Sequence, residues 1–258
     1  MTPVVVAQIT DCHLQDDPCQ DYRGFNVEQH LDRVVENLLL QTPAADLILW
    51  SGDLAHHGGP EGYQRLSQRL TELPVPSYWI PGNHDDVTLM QQVGSQFGGQ
   101  LNQRSLVTGG WGIILLDSTS EPDGQGGGSL AQCELDFLQQ QLQRFQDCHC
   151  LVVLHHNPLP VESDWQDQIM LGNADQFWRV LGQHHHVRAV INGHVHQSSD
   201  RMHNGVRVMM TPATSVQFKA ACQQLILEDD PVLKQPGYRC LELYPDGRIE
   251  TSVKRVAG

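Results

Sequence analysis

Five short apolar runs recur along the first two hundred residues, and each stops at a polar cluster. Val4–Ile9 leads into Asp11-Cys-His13, Leu47–Trp50 into Ser51-Gly-Asp53, and Val75–Ile80 into Pro81-Gly-Asn-His-Asp85. Leu151–Leu154 leads into His155-His-Asn-Pro158, and Val187–Ile191 into Asn192-Gly-His-Val-His196. Short runs rich in β-branched residues, apolar without alternation, predict strands buried on both faces. Between them, apolar positions at helical spacing predict helices over Leu31–Leu40 (stopped by Pro43), Gly62–Leu73, Asp86–Phe97, Leu130–Phe145 and Phe177–Gly182. Ser105–Val107 and Trp111–Leu116 predict a strand pair across Gly109-Gly110. Val206–Met210, Cys240–Leu243 and Arg248–Val253 predict late strands, the last two joined at Asp246-Gly247. Alternation of strands and helices predicts an α/β fold with a largely parallel sheet, and the late strands predict a second, more antiparallel one. The polar clusters extend from residue 11 to residue 196, so a site shared among them predicts one domain over residues 1–258.

Composition narrows the functional classes. The formal net charge is −14. That disfavours nucleic acid and anionic membrane surfaces as partners, since both require a basic footprint. An anionic substrate would need a local reversal of the field, which bound cations supply. Nothing at the N-terminus resembles a signal peptide, and no apolar stretch approaches the roughly 18 residues of a membrane span. The seven cysteines lack a framework spacing and read as reduced thiols of a cytoplasmic protein. Cys148-His-Cys150 opens a strand, where its side chains alternate between faces, and reads as structural.

The strand ends carry the chemistry. His194 and His196, at i and i+2 after a glycine, form a weak signal alone. It gains weight because Asp11/His13, Asp53, Asn83/His84 and His155/His156 stand at the ends of the other strands, where α/β proteins gather functional groups. Carboxylate, imidazole and amide oxygen together suit borderline and hard divalent ions. So many such groups exceed the needs of one ion and suit two, about 3.5–4 Å apart with one carboxylate bridging.

Asp11-x-His13, Gly52-Asp53, Gly82-Asn-His-Asp85, His155 and Gly193-His-x-His196 resemble, in order and spacing, the motifs of the calcineurin-like metallophosphoesterases. The chain is similar almost end to end to the bacterial class III 3',5'-cyclic-AMP phosphodiesterases, through Gln8–Leu14, His155–Pro160, Gly193–Gln197, Thr211–Phe218 and Pro236–Arg239. The resemblance implies a four-layer sandwich, two mixed sheets flanked by helices. It implies two divalent or mixed-valence ions, iron or manganese foremost, with zinc, cobalt or magnesium as alternatives. Asp11, His13, Asp53 and His196 would hold the first, and Asp53, Asn83, His155 and His194 the second, with Asp53 bridging.

The expected reaction is hydrolysis of 3',5'-cyclic AMP to 5'-AMP by in-line attack of a hydroxide held between the ions. His84 is the candidate general acid for the leaving 3'-oxygen. Asp85 either orients His84 or caps the helix that follows. Substrate contacts are expected from His13, Asp53, Asn83, His84, His194 and His196. His156 is read equally as packing or as a site contact, His56-His57 as a loop with support of the ligands as the alternative, and His184–His186 as a solvated turn. Gly124–Gly128 reads as a flexible loop near the pocket, since it lacks the Lys-Ser/Thr ending of a phosphate loop. Phe218 and Gln217 are candidate base contacts, with core packing as the plainer reading. A small-molecule cyclic nucleotide is the expected partner, with monomer or homodimer left open. The alternatives are a broader phosphoesterase on the same centre and a scaffold that keeps the fold without the chemistry, which metal analysis would separate.

Overall fold

A computed structural model of the chain describes residues 2–257. In chain order its strands are β1 (Val4–Ile9), β2 (Leu47–Ser51), β3 (Ser77–Ile80), β4 (Ser105–Thr108), β5 (Trp111–Leu115), β6 (His149–Val153), β7 (Val187–Asn192), β8 (Ser199–His203), β9 (Val206–Met210), β10 (Gly237–Leu243) and β11 (Ile249–Arg255). The helices are α1 (Val27–Leu39), α2 (Pro60–Glu72), α3 (Val87–Gln96), α4 (Gln132–Arg144), α5 (Asp164–Asp167) and α6 (Ala174–Leu181). One sheet has the order β11-β10-β1-β2-β3 and the other β4-β5-β6-β7-β9-β8.

The central strands β1–β3 and β5-β6-β7-β9 are parallel, and the antiparallel strands lie at the edges. Side chains of each central strand alternate between two different cores. Val6, Leu49, Ile80, Leu115, Val153 and Ile191 pack between the sheets. Their neighbours Ile48, Trp50 and Trp79 pack under α1–α3. Ile114, Val152 and Val190 pack under α4 and α6. Both faces are therefore apolar, which is why these strands read as unbroken apolar runs. The layers are helix, sheet, sheet, helix, as expected.

The helices form where amphipathic spacing and caps coincide. In α1, Val27, Leu31, Val34 and Leu38 line the buried face, and Asn26 caps the start by accepting from Gln29 N–H. Pro60 opens α2, where its missing N–H is not needed.

One expectation is corrected. Of the three late strands only β9 joins the second sheet, where it pairs parallel with β7. β10 pairs antiparallel with β1 and β11 with β10, so both extend the first sheet, while β4 begins the second. Strand β8 was not foreseen because Ser199–His203 is a polar edge strand with alternating exposure.

Candidate metal centre

The loops after β1, β2, β3, β6 and β7 meet at one place. Asp11 N–H donates to Gly52 O at 2.9 Å and His13 N–H to Asp53 O at 2.9 Å, which lays the first two loops side by side. Gly193 N–H donates to His155 O at 3.2 Å, joining the loops after β6 and β7. The two sheets are tied by Asp11, whose Oδ2 accepts the backbone N–H of His194 at 3.0 Å. Close approach needs glycine at several points, Gly82 and Gly193 among them. A Cβ on Gly82 would overlap Asp53, and one on Gly193 would overlap Thr10 Oγ1.

Strain concentrates in the same place. Of the ten non-glycine residues with positive φ, five are Asp11, His13, Asp53, His194 and His196. L-residues pay about 1–2 kcal/mol each for that conformation. The hydrogen bonds just named hold it, and it aims the side chains at a common centre.

Asp11, His13 and His196 offer ligand atoms within 4.8 Å of one another, as do Asp53, His155 and His194, and all six residues are buried. Asp53 links the groups: its Oδ2 is 3.3 Å from His155 Nε2 and 3.6 Å from His13 Nε2. Asn83 joins the second group, with Oδ1 3.2 Å from His155 Nε2.

Backbone carbonyls decide which imidazole nitrogen is left facing inward. Because a carbonyl only accepts, His155 Nδ1 donates to Ser51 O at 2.9 Å, His196 Nδ1 to Val216 O at 2.6 Å, and His194 Nε2 to Ile169 O at 3.0 Å. In the neutral rings the other nitrogen carries a lone pair. His196 Nε2 then faces Asp11 Oδ1 at 3.3 Å and His13 Nε2 at 3.1 Å. His194 Nδ1 faces His155 Nε2 at 3.3 Å.

Burial holds His13 and His194 well below the usual imidazole range. Burial would lower His155 too, but the Asp53 carboxylate raises it to about 9. Burial would raise Asp53, yet His155 beside it holds it well below the usual carboxylate range. One shared proton on that pair leaves the remaining acceptors opposed to acceptors in a buried space. Such an arrangement is costly until cations occupy it. The donor set of carboxylate, imidazole and amide oxygen fits a pair of divalent ions.

Around this centre lie further histidines. His84 donates its backbone N–H to Asp53 Oδ1 at 2.8 Å. Its ring Nδ1 meets His57 Nε2 at 2.7 Å, and His56 Nδ1 lies 3.1 Å from His13 Nδ1. The His56-His57 pair is thus part of the surround and not a plain loop. With His13 and His84, His56 forms a further triad of close ring nitrogens at the rim. Burial lowers His56 to about 4.

His156 Nε2 donates to Gly126 O at 3.2 Å, and its Nδ1 accepts from the Ser118 hydroxyl at 2.8 Å. Burial pushes it down to about 3, so it is a neutral strut that fixes the 124–128 loop beside the centre.

One expectation is corrected. Asp85 neither orients the His84 ring nor caps α3. Its carboxylate accepts from the backbone N–H groups of Leu54, Ala55 and Gly82 and from the Tyr63 hydroxyl, stapling the loops after β2 and β3 together. Asp86 is the cap, accepting from Leu89 N–H at 3.0 Å. Burial and the charge of Asp53 raise the Asp85 carboxyl to about 7. Gln217 turns inward, its amide bonded to the backbone of Ala213. Phe218 is buried against His196, with ring centroids 4.2 Å apart. Tyr22, which no sequence pattern marked, stacks on His13.

The family model described as Calcineurin-like phosphoesterase matches residues 4–198. The chain is similar to the 3',5'-cyclic adenosine monophosphate phosphodiesterase CpdA of Haemophilus influenzae, with 37% identity over 98% of this chain and 91% of the relative. It is 33% identical to a 3',5'-cyclic-nucleotide phosphodiesterase of Nostoc, over 98% of this chain and 93% of that protein. Among solved structures, a dimetal phosphatase from Danio rerio matches the fold with a TM-score of 0.66 at 15% identity, covering 99% of this chain and 100% of the other. The chain belongs to the calcineurin-like phosphoesterases.

Proposed function

We propose that the chain is a metal-dependent phosphodiesterase that hydrolyses 3',5'-cyclic AMP to 5'-AMP. The observation that carries the chemistry is Asp53 Oδ2, placed within 3.6 Å of histidine nitrogens from both ligand groups. The substrate is supported by the nearly full-length similarity to a relative of that name. A bound pair of divalent cations supplies Lewis acidity toward a phosphoryl group and lowers the pKa of water toward neutrality. Asp11, His13, Asp53 and His196 would hold one, and Asp53, Asn83, His155 and His194 the other. Iron and manganese suit this donor set best, with zinc, cobalt or magnesium as substitutes.

His84 is the general acid of this reading. Its Nδ1 is engaged by His57, so Nε2 is the atom that delivers a proton to the leaving 3'-oxygen. Asp85 is a positioning residue, holding the backbone that presents Asp53 and Asn83. The phosphoryl group lies against His13, Asp53, Asn83, His84, His194 and His196. The seven cysteines, all free, support a reducing cytoplasmic setting. No helix among the described residues is long and apolar enough to cross a membrane.

Assay of metal-loaded protein with cyclic AMP, a 2',3'-cyclic nucleotide and bis(p-nitrophenyl) phosphate tests the proposal. Cyclic AMP is expected to show the highest kcat/KM, and no turnover of it would end this reading. The Nostoc relative, named for 3',5'-cyclic nucleotides in general, favours the broader second reading, in which several cyclic nucleotides are cleaved at similar rates.

A further inference from the structure

Tyr22, Arg23, Gly24 and Phe25 form a tight turn on the rim of the centre. Tyr22 N–H donates to Phe25 O at 2.9 Å, and Phe25 N–H returns to Tyr22 O at 3.0 Å. Both central residues have positive φ, 52° at Arg23 and 85° at Gly24. This is the type I′ pattern, which asparagine or glycine enters at little cost and arginine does not.

The inner side of the turn is anchored. The Tyr22 ring stacks on His13 with centroids 4.6 Å apart and planes at 11°. Phe218 makes the matching stack on His196 at 23°. Arg23 reaches both aromatic rings, its Cζ 5.4 Å from the centre of Tyr22 and 5.5 Å from that of Phe218. Its Nε donates to the Tyr22 hydroxyl at 3.2 Å.

Arg23 is exposed, and among the described residues it makes no ion pair. In a chain with 30 carboxylate residues, this cation rests on aromatic faces with its Nη groups unengaged by protein. It rests on the rings that pack on His13 and His196. It is therefore one layer outside a phosphoryl group lying against those histidines. The part of a nucleotide that projects outward from its phosphoryl group is the ribose and base.

We propose that Arg23, backed by Tyr22 and Phe218, binds the nucleoside portion of the substrate and sets the preference for nucleotides over other phosphodiesters. The inference rests on the phosphodiesterase reading above and names the specificity element of the same site. The guanidinium plane stacks on a purine, and its Nη donors reach acceptors on the base edge or ribose.

Calorimetric titration of the metal-loaded protein with 5'-AMP and with inorganic phosphate tests it. Arg23→Asn removes the guanidinium yet suits the positive-φ turn, so the fold is kept. The wild type is expected to bind 5'-AMP more tightly than phosphate. Arg23→Asn is expected to weaken 5'-AMP about tenfold, the loss of charge-assisted hydrogen bonds, and to leave phosphate within about twofold. Arg23→Lys, which keeps charge but not the plane, is expected to lose most of the nucleoside preference. Equal loss on both ligands, no loss on either, or a wild type indifferent to the nucleoside would overturn the proposal. These affinities need no turnover, so a protein that prefers 5'-AMP through Arg23 but fails to cleave cyclic AMP refutes the hydrolytic reading alone.

Discussion

His84 Nδ1 and His57 Nε2 stand 2.7 Å apart, so one ring donates to the other and each fixes the other's orientation. His84 also holds Asp53 Oδ1, but through its backbone N–H, which any side chain there retains. The two roles can therefore be separated by mutation. His84→Ala is expected to lower kcat by about 10²–10³-fold, the range of a positioned proton donor, with the metal-to-chain ratio unchanged. His57→Ala is expected to cost about tenfold through a loosened ring. The double variant should cost little more than His84→Ala, because the two act as a unit. Steady-state kinetics beside metal analysis checks this, and joint loss of rate and metal in His84→Ala would make His84 a ligand.

Removing the ions exposes the opposed acceptors to one another. Asp53 Oδ2 and the inward nitrogens of His194 and His196 are buried and lose the cations that their lone pairs would face. Chelation is expected to lower Tm by about 10 °C, the size of a tight ligand's contribution in a chain of this length. Ligation requires unprotonated imidazole, so protons compete with the ions, and the ion-dependent gain in Tm shrinks as pH falls below about 9, where His155 takes up its proton. Calorimetry with and without chelator at pH 7.5 and 5.5 checks the sign. A gap that widens at the lower pH contradicts this account of the centre.

Much of this arrangement was legible before folding, and the reasons are physical. Strands β1, β2 and β7 face two apolar cores, so their sequences carry unbroken runs that no helix of the chain shares. The Asp and His residues at their ends stood out because such groups rarely follow buried runs without a partner. Partner choice was not legible. β10 adds to β1 by backbone hydrogen bonds, which carry no residue code, and Ser199–His203 looks like any polar loop until β9 is beside it. The carbonyls of Ser51, Ile169 and Val216, which set the imidazole tautomers, were invisible for the same reason. Asp85 was misread because its partners Leu54 and Ala55 lie thirty residues away on another loop.

Close backbone approach gives a sharper test of the loop packing. A methyl group on Gly82 would overlap Asp53 at both its carboxylate and its N–H, and one on Gly193 would overlap Thr10 Oγ1 and come within 2.6 Å of Asp11 Oδ2. Both carboxylates would have to move. Gly82→Ala and Gly193→Ala are each expected to cost about 1–3 kcal/mol, as overpacking does, and to weaken metal affinity at least about tenfold. Urea denaturation of the chelated proteins isolates the first effect, and metal titration isolates the second. Unchanged metal affinity in both variants would show that the loops relax without moving Asp11 or Asp53.

A polar path runs beneath the centre from one sheet edge to His155. Arg239 on β10 is buried and has no carboxylate partner. Its guanidinium donates to Thr211 Oγ1, Thr251 Oγ1 and the carbonyls of Ser199 and Met210, which crosses from the first sheet to the second. Thr211 Oγ1 donates to Gln8 Oε1, Gln8 Nε2 donates to Ser51 Oγ at 2.8 Å, and the carbonyl of Ser51 receives His155 Nδ1. Burial lowers the Arg239 guanidinium to about 10, so it stays charged at neutral pH and the path keeps its donors. Arg239→Met preserves much of the volume but removes the donors that reach the Ser199 and Met210 carbonyls and two threonine hydroxyls, at about 1–3 kcal/mol for each buried group left unpaired. A loss of about 3 kcal/mol in urea denaturation is expected, with Arg239→Lys intermediate because it keeps the charge but not the fork. Gln8→Leu cuts the path one step from Ser51. It is expected to lower kcat several-fold with KM little changed, since His155 would lose orientation while the rim is untouched. A Gln8→Leu enzyme with wild-type kcat would show that the carbonyl of Ser51 holds its place without the path, and that Arg239 serves the sheet interface alone.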